Sequence, residues 1–193
     1  VIRGELGTIV TLTVLREGWG NSQNFEITRA NIRIPTIEWK IIDGNIIHLR
    51  LFTFSSNSVS DFQKAMTSAV FAGGEGLVLD LRGNPGGLLS VAVRMAGYFL
   101  ERGDIVVTEK FTSSDDIVLR STGNSTLSTF PTVVLINDGS ASASEILAGA
   151  LRIHLGIKIV GKKSFGKGTV QEIDELNDGS SIKITIANWL LPD

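Results

Sequence analysis

The sequence predicts an α/β domain built on a largely parallel sheet, preceded by a short β unit. Three observations predict it. Leu77-Val78-Leu79-Asp80-Leu81 is a continuous apolar run, the pattern of a strand buried on both faces. A strand, a glycine- or serine-bearing loop and a helix follow one another twice, over residues 77–100 and 132–151. Hydrophobic residues make up 42% and charged residues 20% of the 193, which supports a folded core rather than disorder.

The elements follow in order. Thr8 to Arg16 is β-branched and alternating, hence a strand; Glu17 to Gln23 reads as a hairpin loop, and Asn24 to Arg29 as the returning strand. Two strands do not make a stable domain alone, so part of this unit is expected to lie outside the chain. Asn31 to Glu38, with Pro35, reads as a connection; the units are set at 1–34 and 35–193, the second gathering strength near Trp39. Asn45 to Phe54 is a strand. Val59 to Val70 has helical spacing, with Phe62, Ala65, Met66, Ala69 and Val70 on one side. Strand 77–81 leads through Arg82-Gly83-Asn84-Pro85-Gly86-Gly87 into a helix over Leu88 to Leu100. Thr112 to Thr129 is polar and Ser/Thr-rich and reads as a surface excursion. Thr132 to Ile136 is a strand, Asn137 to Ala141 a turn, and Ser142 to Leu151 a helix. Lys158 to Val160 is another strand. Thr169 to Ile173 and Ser181 to Ala187 form a hairpin around Asn177-Asp178-Gly179.

Composition narrows the chemistry. Lys and Arg total 18 against 20 Asp and Glu, scattered, which leaves no clustered basic surface for nucleic acid. The apolar stretches are too short to span a membrane. The chain opens inside an element, so a fragment that has lost any targeting segment is expected. With no cysteine, thiol nucleophiles, disulfides and cysteine-held metals are excluded. His48 sits in a strand and His154 at a helix end; two separated histidines make neither a metal site nor, with His154 alone as candidate, a strong triad. No metal or cofactor is expected.

Two segments carry the chemistry. Gly139-Ser140-Ala141-Ser142-Ala143-Ser144-Glu145-Ile146 puts hydroxyls on a small-residue turn entering a helix. One serine would cap the helix and another act as nucleophile, with Glu145 favouring the positive helix end. Ser164-Phe165-Gly166-Lys167-Gly168-Thr169-Val170-Gln171 puts a lysine between glycines at the start of a strand. A serine needs a base, and a neutral lysine serves. Burial favours the neutral amine, with Phe165 and Val170 as apolar cover and Gln171 placed to hold the amine. The Gly83 to Gly87 loop supplies bare N–H groups for an oxyanion. Each feature also has a plain structural reading: a helix cap, a solvated lysine, a tight turn. Two overlapping motifs fail. Gly161 to Lys167 fits a phosphate loop until Gly168 replaces the required Ser or Thr, and a strand follows where a helix is needed. Ser164-Phe165-Gly166-Lys167 fits S-x-x-K, but its glycines oppose the helix that motif requires.

Taken jointly, residues 77–88, 139–151 and 166–171 resemble the C-terminal processing (tail-specific) peptidases, serine peptidases with a Ser/Lys dyad. The stretch Ile2-Arg3-Gly4, Gly7-Thr8 and Val10 to Arg16 is similar to the closing part of that family's PDZ domain. The resemblance implies a ClpP/crotonase-like core with a largely parallel sheet, plus the C-terminal remnant of a PDZ domain. It makes Ser142 the nucleophile, Lys167 the general base and Gln171 its positioning partner. It makes the Ala143 N–H and a glycine N–H of the Gly86–Gly87 pair the oxyanion donors. It implies protein substrates with exposed apolar C-terminal tails, a homo-oligomer or regulatory partner, and an extracytoplasmic site such as a bacterial periplasm or cell envelope. Arg152 to Gly156 is more apolar than the family's usual turn, and most of the PDZ domain lies outside the chain, leaving the activity of this stretch alone open. A non-catalytic scaffold on the same fold is the alternative; an acyl-CoA enzyme would share the fold class but give no reason for the Ser/Lys pair.

Overall fold

The computed structural model describes residues 2–31, 35–112 and 114–192. The chain divides into two compact units, Val1–Ile34 and Pro35–Asp193.

In the first unit, β1 (Ile9–Val14) and β2 (Gln23–Thr28) pair antiparallel from Ile9 opposite Thr28 to Val14 opposite Gln23. Alternating β-branched residues give β1 one half-buried face, while β2 is exposed throughout. Arg29 closes the open end: Nε donates to the Ile2 carbonyl at 2.9 Å and Nη1 to Thr8 Oγ1 at 2.7 Å. Trp19 stacks on Phe25 across the hairpin.

The second unit holds two sheets. The first orders β3 (Ile37–Ile42), β4 (Ile46–Leu51), β5 (Gly76–Asp80), β8 (Thr132–Ile136) and β9 (Lys158–Gly161) side by side. Only β3 runs antiparallel to its neighbour; β4, β5, β8 and β9 pair in parallel. The largely parallel sheet predicted from the apolar run is therefore present. The expected connection over 31–38 already contains the start of β3, and residues 32–34 of it lie outside the described residues. Ile37, Trp39 and Ile41 alternate with Glu38 and Lys40, a strand pattern that starts inside the expected connection just after Pro35.

Helices α1 (Ser58–Phe71), α2 (Leu89–Ala96) and α3 (Ala143–Leu155) complete the parallel crossovers. On α1 the buried stripe runs Val59, Phe62, Ala65, Met66, Ala69. Val70, expected on this stripe, is 46% exposed, because it falls one residue beyond Ala69 and turns outward. The second helix is shorter than 88–100: from Gly97 the chain tightens into turns, with Tyr98 N–H to Met95 O and Phe99 N–H to Ala96 O, which bury Phe99 and Leu100 without helix. The third helix runs beyond Leu151 to a left-handed cap at Gly156 (φ 63°).

The second sheet, ordered β10 (Thr169–Glu175), β11 (Ser181–Leu190), β6 (Ile105–Phe111) and β7 (Ile117–Arg120), is antiparallel throughout. Of this sheet the sequence predicts only the β10–β11 hairpin. The excursion over 112–129 is corrected: Ile117 to Arg120 is a strand on β6, and buried Ser121 donates Oγ to the Leu100 carbonyl at 3.3 Å. Polar flanks hid the short apolar run. The core joins both layers, with Leu49, Phe62, Leu79, Phe99, Val106, Leu147 and Leu151 all fully buried.

Candidate active site

The site sits at the C-terminal ends of β5 and β8, where an open parallel sheet leaves a crevice between diverging loops. The two loops are sewn together. Asn137 Oδ1 accepts the Gly83 N–H at 2.8 Å and the Gly139 N–H at 3.1 Å. The Ala141 N–H donates to the Asn84 carbonyl at 3.0 Å.

This zipper separates the three serines. Ser140 is fully buried; its hydroxyl donates to the Leu81 carbonyl at 2.7 Å and accepts the Asn137 N–H at 3.0 Å. Ser144 is also fully buried and donates to the Asn84 carbonyl at 3.0 Å. Ser142 is half-buried and its hydroxyl makes no capping hydrogen bond. The Glu145 N–H donates to the Ser142 backbone carbonyl at 2.9 Å, and the Glu145 side chain reaches back as the carboxylate arm of a capping box, accepting the Ser142 N–H on Oε2 at 2.8 Å. Ser142 has φ 55° and ψ −116°, a conformation that costs a non-glycine residue on the order of 1–3 kcal/mol. Such a strained strand-to-helix turn lifts a serine side chain out of the loop.

Glu145 does more than complement the helix end. Oε1 accepts the Gly166 N–H, placed at 2.6 Å, and Oε2 accepts the Lys167 N–H at 3.1 Å while also holding the Ser142 N–H. One carboxylate therefore gathers the serine turn and the lysine loop, 25 residues apart in sequence. The Phe165 N–H adds a bond to the Ser140 carbonyl at 3.0 Å. By sequence Glu145 has only the part of a helix-end charge; its position three residues after Ser142 is the one sequence signal for this wider role.

Lys167 is half-buried, and no hydrogen bond joins its amine to Ser142 among the described residues. Gln171 lies in β10 just past a bulge at Val170 and is exposed, with no bond to Lys167 among the described residues. Phe165 does not provide the expected apolar cover: it is 69% exposed, turned out by its bonded N–H. Gly168 leads into β10, a strand, so the phosphate-loop and S-x-x-K readings lack their helix. Gly86 packs against the serine turn; a Cβ there would lie 2.9 Å from Ser142 Cβ and 3.0 Å from the Ala143 nitrogen. The Gly86 N–H is committed to Asn84 Oδ1 at 2.9 Å. The Gly86 carbonyl accepts the Phe54 N–H at 2.9 Å and Thr53 Oγ1 at 3.1 Å. Across the trans peptide this points the Gly87 N–H the opposite way, and it has no acceptor among the described residues. Ala143, first residue of α3, carries an N–H with no intrahelical partner.

Neither histidine joins Ser142. His154 Nε2 bonds the Ile105 carbonyl at 2.7 Å, and twelve residues of helix hold it about 18 Å from the serine end. His48 Nε2 meets Asp80 Oδ2 at 3.0 Å. Asp80 is buried at the end of β5 and braces Arg82 through the Arg82 N–H (3.0 Å), Nε (2.8 Å) and Nη2 (2.6 Å). Burial pushes its carboxyl up, but the bonds from Arg82 and His48 and the guanidinium charge outweigh burial and hold it at about 2. Among the described residues no cluster of His, Cys, Asp and Glu could hold a metal ion.

Comparison with known proteins places this geometry. The carboxy-terminal processing protease CtpA of Bacillus subtilis (strain 168) is 38% identical over 193 residues, covering 100% of this chain and 41% of that protein. The carboxy-terminal-processing protease of Bartonella bacilliformis is 38% identical over 199 residues, covering 99% of this chain and 45% of that protein. The solved photosystem II D1 C-terminal processing protease superposes with a TM-score of 0.77 at 33% identity, over 98% of this chain and 52% of that one. The chain thus spans about two fifths of the length of the curated relatives it matches. The model of peptidase family S41 matches residues 45–193, and with the serine turn, glycine loop and lysine loop assembled as described, the chain belongs to peptidase family S41.

Proposed function

We propose that this chain carries the core of a serine endopeptidase that cuts proteins near their C-terminal tails through an acyl-enzyme. The observation that supports it best is Glu145, whose carboxylate holds the N–H groups of Ser142 and Lys167 on one oxygen. Ser142 Oγ attacks the scissile carbonyl, the Lys167 amine takes its proton and passes it to the leaving amine, and water deacylates the serine with the same base. Gln171, four residues on, is the positioning partner of the amine in this reading. The developing oxyanion accepts the N–H groups of Ala143 and, of the glycine pair, Gly87, since the Gly86 N–H is already bonded.

The same reading makes the core ClpP/crotonase-like and residues 1–34 the closing part of a PDZ domain. This reading gives it substrates with accessible, apolar C-terminal tails, and the relatives' names, carboxy-terminal processing proteases, support the carboxy-terminal part of that. It also places the parent protein outside the cytoplasm, in a bacterial periplasm or cell envelope, working as a homo-oligomer or with a regulatory partner. No helix among the described residues is long and apolar enough to cross a membrane. The test is an unfolded reporter with an apolar tail, digested by a full-length protein carrying this chain. Fragments should map near the tail and vanish with Ser142→Ala; unchanged cleavage by that variant would sink the reading.

A non-catalytic scaffold is the second reading, favoured by the missing bond between Lys167 and Ser142. It expects tail binding without turnover in the same assay, and the serine variant would then bind and behave like the parent.

A further inference from the structure

Asn84 lies at the centre of the glycine loop, fully buried, and each of its polar atoms is hydrogen-bonded. Its N–H donates to the Leu81 carbonyl at 3.1 Å. Its carbonyl accepts the Ala141 N–H and the Ser144 hydroxyl, both at 3.0 Å. Its Nδ2 donates to the Leu51 carbonyl at 2.9 Å, and its Oδ1 accepts the Gly86 N–H at 2.9 Å. One side chain thus ties the end of β4 to the loop, while its backbone ties the loop to the serine turn.

The consequence falls on Gly86 and Gly87. Gly86 has φ 98° and Gly87 φ 145°, conformations in which a glycine pair turns freely unless its peptides are held. Both peptides flanking Gly86 are held. Asn84 takes the N–H on one side; Phe54 and Thr53 take the carbonyl on the other. What remains free is the Gly87 N–H, facing away from Phe54. An oxyanion donor accelerates a reaction only if it is already oriented when charge develops. A buried amide that removes one of two adjacent N–H groups from competition does this orienting.

We propose that Asn84 is the positioning residue of the oxyanion site: its side-chain amide fixes the Gly86–Gly87 pair so that Gly87, and not Gly86, presents its N–H to the tetrahedral intermediate. This rests on the reading of Ser142 as nucleophile. Asn84 touches no reacting atom; it acts through Gly86.

The experiment uses a full-length protein carrying this chain and an acetyl tripeptide aldehyde, whose hemiacetal with Ser142 places an oxygen in the oxyanion position. In wild-type protein labelled with 15N-glycine, adduct formation is expected to shift the Gly87 amide proton downfield and leave Gly86 in place. With Asn84→Ala, kcat per titrated active site is expected to fall roughly 10²-fold with KM within about two-fold, and aldehyde affinity to fall in parallel. In the Ser142→Ala background, Asn84→Ala should leave the Kd of an uncleaved tail peptide unchanged; a merely structural role would weaken peptide and aldehyde alike. A shift at Gly86 in place of Gly87, unchanged kcat and aldehyde affinity, or equal loss of peptide and aldehyde binding overturns the assignment. The labelling arm needs no variant, so it decides between Gly87 and Gly86 even if Asn84→Ala does not fold. If the wild type forms no adduct on Ser142, the nucleophile reading itself fails and this inference falls with it.

Discussion

Glu145 shows how one carboxylate can define a site without reacting. Its two oxygens accept three backbone N–H groups, from Ser142, Gly166 and Lys167. Glu145→Gln leaves one acceptor oxygen and presents an amide N–H₂ to at least one N–H donor. Losing charge-assisted bonds of this kind costs on the order of 2 kcal/mol, and kcat/KM should fall about ten- to a hundred-fold because the lysine loop loosens from the serine. Denaturant unfolding and steady-state kinetics on the same variant check both figures. Asp80 gives a pH prediction. Its folded carboxyl titrates at about 2 against an ordinary 3.8, so the folded state is favoured by its ionised form above 3.8. That stabilisation, about 2 kcal/mol at most, is lost as pH falls from about 4 through about 2. Asp80→Asn should be less stable than wild type at neutral pH, and the gap should close over that window in urea titrations; a gap independent of pH would contradict the assignment. At this scale the sequence showed three serines but not which is free. Ser140 and Ser144 are committed to the Leu81 and Asn84 carbonyls, partners 59 and 60 residues away, which no local pattern reveals.

The glycine loop and the third helix show which elements tolerate change. A Cβ on Gly87 would sit 2.3 Å from the Phe54 carbonyl oxygen, against the bridge that joins Phe54 to Gly87. A Cβ on Gly86 would meet the Ala141 carbonyl at 2.7 Å. Both positions have positive φ, so Gly86→Ala or Gly87→Ala should cost several kcal/mol, on the order of a buried overpacking, and abolish turnover. Gly156→Ala is the matched control. It also has positive φ, but nothing lies within 4 Å of an added Cβ, so it should cost about 1 kcal/mol and leave kcat unchanged. Thermal unfolding with parallel kinetics separates the cases. The helices and the strands β4, β5 and β8 were legible because burial against one sheet sets their apolar pattern; β9, an exposed edge strand, was legible from its short β-branched run. The second sheet was legible only in its β10–β11 hairpin. Its β6 and β7 carry Thr108, Glu109, Lys110 and Arg120 among apolar residues and gain strand character only from pairing with each other and with β11.

In the whole second unit, the parallel sheet brings two loops together at one end, and the third, carrying Lys167, arrives with the strand that enters the antiparallel sheet. The site is thus shared by both sheets: Ser142 rides on α3 behind β8, and Lys167 precedes β10. This division explains why the sequence names the lysine but not what holds its loop to the serine turn, since 25 residues and a change of sheet separate the two. The most direct measurement is casein hydrolysis by a full-length protein carrying this chain, from about pH 6 to about pH 10, beside Ser142→Ala and Lys167→Ala. A neutral amine is needed to take the serine proton, so the account predicts a rate that rises with pH and is lost in both variants. Hydrolysis that survives either substitution would contradict it.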